Sequence, residues 1–191
     1  VIDNGNMLMK DNVADIIFTN TKAGRFTSAT KPKRVSETIA APLYKQTAVS
    51  DVYNVLIVKN NNGNSIEFRV YNTGIAYRWI TANKGEWKVD NEVAEFHFTD
   101  DYTAWLPYST NEKNPKAMAF QATYDVDRLS KSKNLEAFLP AMVDCGKAKV
   151  TILESDVEAY PGMFVKGGEK ALKAEFAKYP KTFDYYPWRK Q

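Results

Sequence analysis

The chain has 191 residues, 44% hydrophobic and 13% aromatic, and its 26 basic and 23 acidic residues give a net charge of +3. This composition is that of one globular domain, and a charge so evenly balanced does not favour a nucleic-acid partner. One cysteine, Cys145, excludes an internal disulfide, one histidine, His97, excludes a histidine-rich zinc site, and no apolar run approaches the roughly 18 residues of a membrane span.

The first quarter of the chain predicts short strands separated by polar segments. Val13–Thr19 predicts a short strand, and the polar stretch Thr19–Pro32 predicts a loop. Val35–Tyr44 is apolar but contains Pro42, which is typical of an edge strand or a strand end.

The centre of the chain has the clearest strand pattern. Val52–Lys59 is rich in β-branched residues, and Ser65–Tyr71 and Ile75–Ile80 alternate apolar with polar side chains. Asn60–Asn64 and Asn72–Gly74, which separate these strands, have turn composition. The three strands therefore predict an antiparallel meander.

The remaining chain continues with short strand patterns. Val93–Phe98, Ala104–Tyr108 and Ala137–Cys145 predict strands, whereas Asp125–Asn134 is charged and predicts a loop. Ala171–Ala177 has helical propensity, but its alternating apolar residues favour a strand. Many strands at a spacing of 8–12 residues without convincing helices predict an all-β fold, an antiparallel β-sandwich.

Ala148–Met163 contains the densest local group of acids. Its apolar strand leads into Glu154, Asp156 and Glu158, and a turn at Tyr160–Gly162 follows. Residues two apart on an extended chain project from the same face, so a strand that continued would align the three carboxylates. Water, an arginine or a hard cation such as calcium would offset their repulsion, and a solvated loop that caps the strand is the alternative interpretation.

Other candidate sites have simpler structural interpretations. His97 lies inside the predicted strand Val93–Phe98, which favours a structural role over a catalytic triad, and Cys145 is interpreted as a small buried hydrophobe. Arg69 and Arg78 are interpreted as cross-strand partners. Sugar binding by stacking on aromatic rings stays open beside core packing for five residues: Trp79, Trp87, Trp105, Tyr108 and Trp188.

Several segments resemble, in the same order, motifs of glycoside hydrolase family 97, the α-glucosidase and α-galactosidase family of gut Bacteroidetes. Phe68–Trp79 (FRVYNTGIAYRW) is similar to the family's FRAYNDGIAYRF hairpin, with Thr73 where Asp is usual. Glu154–Met163 (ESDVEAYPGM) resembles its E-S-D-L-x-x-Y-P-G segment. The resemblance extends from about Ser36 to the end of the chain.

The resemblance implies an N-terminal, galactose-mutarotase-like β-sandwich, followed in the family by a catalytic (β/α)₈ barrel. We expect a sandwich over residues 1–178, shortened at its N-terminus, and a linker toward the barrel over residues 179–191. The implied function is the non-catalytic domain of a calcium-dependent, exo-acting α-glycoside hydrolase, periplasmic or secreted. Its implied partners are the barrel and an oligosaccharide substrate. An autonomous carbohydrate-binding module is the alternative.

The resemblance assigns one metal ligand and no catalytic residue to this chain. Glu154 matches a family glutamate that coordinates calcium together with barrel glutamates, whereas the two acids after it have no such match. Asn111 and Asn114 are predicted contributors to the rim of the substrate site. Calcium takes six to eight oxygen ligands, so we expect the isolated chain to bind it weakly or not at all and to hydrolyse no glycoside.

Overall fold

The computed structural model describes residues 1–18, 24–82, 84, 88–109, 116, 121–155, 157 and 160–177. These residues form strands and one 3₁₀ turn, Leu129–Ser132, so the predicted all-β class is confirmed. No helix among them is long and apolar enough to cross a membrane. The strands are β1 (Ile2–Asp3), β2 (Asn6–Met7), β3 (Val13–Phe18), β4 (Phe26–Ala29), β5 (Lys33–Ala40), β6 (Ala48–Asn60), β7 (Asn64–Val70), β8 (Ile75–Thr81), β9 (Val89–His97), β10 (Thr103–Leu106), β11 (Asp125–Arg128), β12 (Glu136–Phe138), β13 (Ala141–Asp144), β14 (Lys149–Ile152), β15 (Met163–Gly167) and β16 (Ala171–Phe176).

The first of two compact units comprises Val1–Asp15 and Asn91–Gln191, and its described residues form the two-stranded sheet β1-β2 and contribute to two larger sheets. Their strand orders are β11-β10-β13-β14 and β12-β15-β16-β9-β3. Both sheets contribute buried side chains to one apolar core, which is the arrangement of a β-sandwich. Members of this core include Ala104, Leu106, Val143 and Ile152 from the first sheet and Ala94, Val165 and Leu172 from the second.

The strands of this core follow the period of two that their sequences predict. In β10 the even-numbered residues Ala104 and Leu106 are buried, and in β13 the odd-numbered Ala141 and Val143 are buried. Alternate side chains of a strand project to opposite faces, so each strand presents one apolar face to the core. Burying a side chain the size of leucine or valine stabilises the fold by about 1.5–3 kcal/mol.

The second compact unit, Ile16–Asp90, contains one sheet with the order β4-β6-β7-β8. Strand β6 is 13 residues long and also pairs with β5, through Ala48–Val55, while its C-terminal end pairs with β4. The antiparallel pairing of β6 with β7 and of β7 with β8 confirms the predicted meander.

The two turns of the meander form where Asn- and Gly-rich segments were predicted to turn. Between β6 and β7, the Asn62 side-chain oxygen accepts a hydrogen bond from the Asn64 amide at 3.1 Å. Gly63 in this turn has φ +86°, a left-handed conformation that glycine adopts without steric cost. In the second turn the Tyr71 amide donates to the Gly74 carbonyl at 2.8 Å.

Two predicted loops contain regular structure. The prediction of a loop over Thr19–Pro32 is wrong for β4, which pairs with β6. The prediction over Asp125–Asn134 is wrong for β11, which pairs with β10, and for the 3₁₀ turn that follows it. Both strands are short and consist of exposed residues, so pairing with a neighbouring strand forms them without a buried apolar face.

Two apolar segments near the C-terminal half resolve as strands. Ala137–Cys145 contains the end of β12 and all of β13, separated at the cis Leu139–Pro140 bond. The strand preferred over a helix at Ala171–Ala177 is confirmed as β16, which pairs with both β15 and β9. These strands carry part of the sandwich core on which the candidate site is built.

Candidate functional site

The acidic segment begins outside the strand that precedes it. Strand β14 ends at Ile152, two residues before Glu154, so the strand does not continue into the acidic segment. The other two acids of the segment, Asp156 and Glu158, lie outside the described residues. The site is therefore built from Glu154 and from side chains that the tertiary fold brings near it.

Glu154 is half-buried and its carboxylate is oriented by the backbone of β15. Its Oε2 atom accepts a hydrogen bond from the Met163 amide at 2.8 Å. Met163 is the first residue of β15, and its own side chain is buried in the core. Among the described residues the Glu154 carboxylate forms no other hydrogen bond, so Oε1 is available to a ligand.

A second carboxylate, Glu92 of β9, is held by a tyrosine of the same segment. The Tyr160 hydroxyl donates to Glu92 Oε2 at 2.7 Å. The Tyr160 ring also packs edge-on against Phe176 of β16, with ring centroids 6.0 Å apart and an interplanar angle of 81°. Phe176 is the cross-strand partner of Met163, so one β16 residue contacts both ends of the segment Tyr160–Met163.

The surroundings of Glu154 disfavour its negative charge. Burial raises the pKa of the Glu154 carboxyl, and the nearby charge of Glu92 raises it further, while the Met163 hydrogen bond partly opposes both. A cation beside the carboxylate would offset this cost. The electrostatics thus suit Glu154 as a cation ligand.

The described residues do not form a complete metal site by themselves. None of them forms a group of three or more His, Cys, Asp or Glu side chains that could hold a metal ion. Calcium takes six to eight oxygens, of which Glu154 offers one or two. Glu154 therefore fits a calcium site as a single ligand, and the remaining oxygens must come from elsewhere.

Besides Glu154, the sequence analysis considered residues for the substrate rim and for sugar stacking. The rim candidates Asn111 and Asn114, like Trp87 and Trp188, lie outside the described residues. The remaining aromatic candidates for sugar stacking are half-buried: Trp79 in β8, Trp105 in β10 and Tyr108 in an isolated bridge with Ala137. None of these three presents a fully exposed ring to a sugar.

The histidine and the cysteine have structural surroundings. His97 Nε2 lies 2.8 Å from Glu95 Oε2, and the His97 amide donates to the Asn12 side chain. Cys145 is 7% exposed, as predicted for a small buried hydrophobe. Burial raises the pKa of its thiol, and the Asp144 charge raises it further, so the thiol stays protonated and is a poor nucleophile.

Sequence reasoning missed Glu92. The Tyr160–Glu92 hydrogen bond joins residues 68 positions apart, and neither residue belongs to a local motif that predicts the pair. The only local signal is the tyrosine in the YPG turn, whose hydroxyl needs a partner when its ring packs against the core.

Similarity to known proteins extends over nearly the whole chain. A family model described as glycosyl-hydrolase 97 N-terminal matches residues 1–190, so the match starts well before Ser36. A retaining alpha-galactosidase from Bacteroides thetaiotaomicron is 39% identical over 163 residues, which cover 81% of the chain and 25% of that protein. The chain thus spans about a quarter of the length of this curated relative.

Proposed function

The chain belongs to the glycosyl-hydrolase 97 N-terminal family, and from this membership we propose that it is the non-catalytic N-terminal domain of a calcium-dependent, exo-acting α-glycoside hydrolase. The catalytic acids would lie in a (β/α)₈ barrel of the same polypeptide. The length of the curated relative, four times the matched region, supports such a partner. The substrate would be an α-galactoside or an α-glucoside at the end of an oligosaccharide. The protein would be located in the periplasm or outside the cell.

The burial and hydrogen bonding of the Glu154 carboxylate support this proposal. Its carboxylate is half-buried, oriented through Oε2 by the Met163 amide, and without a hydrogen bond at Oε1 from the described residues. A carboxylate in a half-buried position is costly to keep charged unless a donor or a cation lies beside it. We infer that calcium, shared with barrel carboxylates, occupies this position and contributes positive charge beside the substrate. Glu154 itself would orient the ion and take no part in proton transfer.

The proposal is tested in the polypeptide that contains both this domain and the barrel. Glu154→Gln replaces one charged oxygen by an amide, and we expect the calcium dissociation constant from titration calorimetry to rise at least about tenfold. The matched control is Glu169→Gln, because Glu169 has an exposed side chain paired with Lys133 at 3.0 Å. An unchanged constant for Glu154→Gln would contradict the assignment of this ligand.

The isolated 191-residue chain provides the complementary test. We expect no turnover of p-nitrophenyl α-galactoside or α-glucoside by this chain, and no micromolar calcium binding. Turnover would show that catalytic groups lie within it. Measurable oligosaccharide binding would instead favour the autonomous carbohydrate-binding module.

Asn111 and Asn114 remain proposed contributors to the rim of the substrate site. In the full enzyme, replacing both by alanine is expected to raise the Michaelis constant while leaving calcium affinity unchanged, since amide side chains at a rim would contact sugar hydroxyls and not the ion. An unaltered Michaelis constant would remove them from the site.

A further inference from the structure

We propose that Tyr160 and Glu92 are positioning residues for the Glu154 metal ligand, acting through the backbone of Tyr160–Met163. The inference rests on the proposed function and deepens it, because it explains how a carboxylate outside any strand is held in one orientation. Neither residue is proposed to touch the ion or the substrate.

The orientation of the Glu154 carboxylate depends on Met163. Glu154 follows the end of β14, so no strand pairing fixes its backbone. The hydrogen bond from the Met163 amide to Oε2, at 2.8 Å, is the contact that fixes its carboxylate among the described residues. Any change in the direction of the Met163 N–H bond would therefore turn the carboxylate and move Oε1.

Tyr160 fixes the backbone of the residues immediately before Met163. Its hydroxyl donates to Glu92 Oε2 at 2.7 Å, a short distance typical of a hydrogen bond to a charged acceptor. Its ring packs on Phe176, which also pairs with Met163 across β15 and β16. Tyr160 and Met163 are thus attached to the same neighbouring strand.

Pro161 and Gly162 lie between Tyr160 and Met163 and limit the movement of the segment. Pro161 has a restricted φ, and a Cβ added at Gly162 would lie 4.0 Å from Glu154 Oε2, so the turn lies beside the carboxylate. With both ends attached and one φ fixed, the segment has little freedom to shift. Releasing the Tyr160 end is the simplest way to disturb Glu154 without altering it.

The experiment uses the polypeptide that contains the barrel and measures calcium binding by titration calorimetry. Tyr160→Phe keeps the ring and removes the hydrogen bond, and we expect the calcium dissociation constant to rise about three- to tenfold. Glu92→Gln keeps an acceptor for the hydroxyl and is expected to weaken binding less than Tyr160→Phe. The matched control is Tyr124→Phe, which removes a tyrosine hydrogen bond to the Pro140 carbonyl and should leave the constant within twofold.

A double variant separates positioning from general destabilisation. If Tyr160 acts through Glu154, Tyr160→Phe causes no further loss of calcium affinity when Glu154→Gln is already present. An equal loss in both backgrounds would overturn the inference, because it would show an effect independent of the ligand.

The outcome also distinguishes this inference from the proposed function. If Glu154→Gln weakens calcium binding and Tyr160→Phe leaves it within twofold, the positioning role alone is wrong. If Glu154→Gln has no effect, the ligand assignment fails, and the positioning role fails with it. Binding is measured at a temperature where all variants are fully folded by circular dichroism, so that loss of structure is not read as loss of affinity.

Discussion

At the scale of single residues, Glu67 shows how the meander accommodates a buried charge. Glu67 of β7 is 6% exposed, and its Oε1 atom accepts from Arg69 Nε at 2.9 Å. Arg78 of β8, directly opposite in the antiparallel register, donates from Nη2 to Oε2 at 3.2 Å, and its Nε atom lies 3.2 Å from Oε1. Arg69 also lies over the Tyr53 ring, 4.7 Å from its centroid. The two arginines satisfy a carboxylate that would otherwise be too costly to bury.

Removing the Glu67 charge is expected to destabilise the protein. Glu67→Gln leaves two guanidinium groups with a weaker partner, and because both are partly exposed to water we expect a loss of about 1–3 kcal/mol in the free energy of unfolding. Urea denaturation measures it. The control Glu37→Gln changes an exposed β5 glutamate and should cost less than about 0.5 kcal/mol. Equal losses in the two variants would mean that the arginines contribute nothing specific.

The same network predicts a pH dependence. Burial alone raises the pKa of Glu67, but the hydrogen bonds and charges of Arg69 and Arg78 outweigh it and hold the pKa below its ordinary value of 4.5. A lowered folded-state pKa contributes stability above the unfolded-state pKa, and this stability is lost as the pH falls through the folded-state pKa. The stability difference between wild type and Glu67→Gln should therefore be largest near pH 7 and shrink below about pH 4. A difference that stays constant between pH 7 and pH 3 would contradict this account.

Prediction from sequence succeeded at this scale where residues are close in a hairpin or in a motif. Arg69 and Arg78 were interpreted as cross-strand partners; Arg78 pairs with Glu67 across β7 and β8, whereas Arg69 pairs with Glu67 along β7 itself. Glu154 was selected by a family motif. Glu92 could not be found, since its contact with Tyr160 depends on the pairing order of β9, β16 and β15, which no local period encodes.

At the scale of elements, strand β15 ends against the 3₁₀ turn with no space for a side chain. Gly167 pairs with Leu172 of β16, and its amide donates to the Leu135 carbonyl at 2.9 Å. A Cβ added at Gly167 would overlap both the hydroxyl and the backbone carbonyl of Ser132, which is itself fully buried. The contact lets the turn close over the edge of the core.

Gly167→Ala is therefore expected to lower the free energy of unfolding by about 1–3 kcal/mol, the usual cost of inserting a methyl group into a packed position. The conflict includes backbone atoms, which cannot move aside as a flexible side chain would. The control Gly74→Ala adds a methyl group where no atom lies within 4 Å, and its stability should stay within about 0.5 kcal/mol of wild type. A neutral Gly167→Ala variant in urea denaturation would show that the turn can shift.

The elements that sequence analysis found are those with an apolar face. Strands β6, β7, β8 and β16 carry alternating or β-branched apolar residues, and each was predicted. Strands β4 and β11 consist of exposed residues, so their sequences contain no burial signal. They form because β6 and β10 offer backbone groups for pairing. This pairing depends on the tertiary fold and cannot be predicted from the local sequences of β4 and β11.

At the scale of the whole molecule, many short strand patterns without convincing helices predicted the all-β class and the β-sandwich. The division into two compact units was not foreseen, because both consist of similar short strands and neither has a distinctive composition. The expectation of a single domain over residues 1–178 followed by a linker over 179–191 stays a prediction, and the linker lies outside the described residues.

From the proposed calcium site shared with a barrel, we expect calcium to stabilise the polypeptide that contains both parts and not this domain by itself. A ligand that binds the folded state stabilises it in proportion to the logarithm of its concentration over the dissociation constant. We expect 1 mM calcium to raise the Tm of the barrel-containing polypeptide clearly, and to change that of the 191-residue chain by less than about 1 °C. Magnesium, which is smaller and retains its water, is the control ion. A calcium-dependent rise in the Tm of the isolated chain would place a complete site within it.

Strand β11 has a consequence for how this protein behaves at high concentration. It is the outermost described strand of its sheet, and Asp125, Asp127 and Arg128 give it three charged residues in four, all exposed. An edge with unpaired backbone groups would recruit a strand from another molecule and start aggregation, and charged side chains oppose that pairing. The charged residues that led to the prediction of a loop here therefore help to prevent aggregation of the protein.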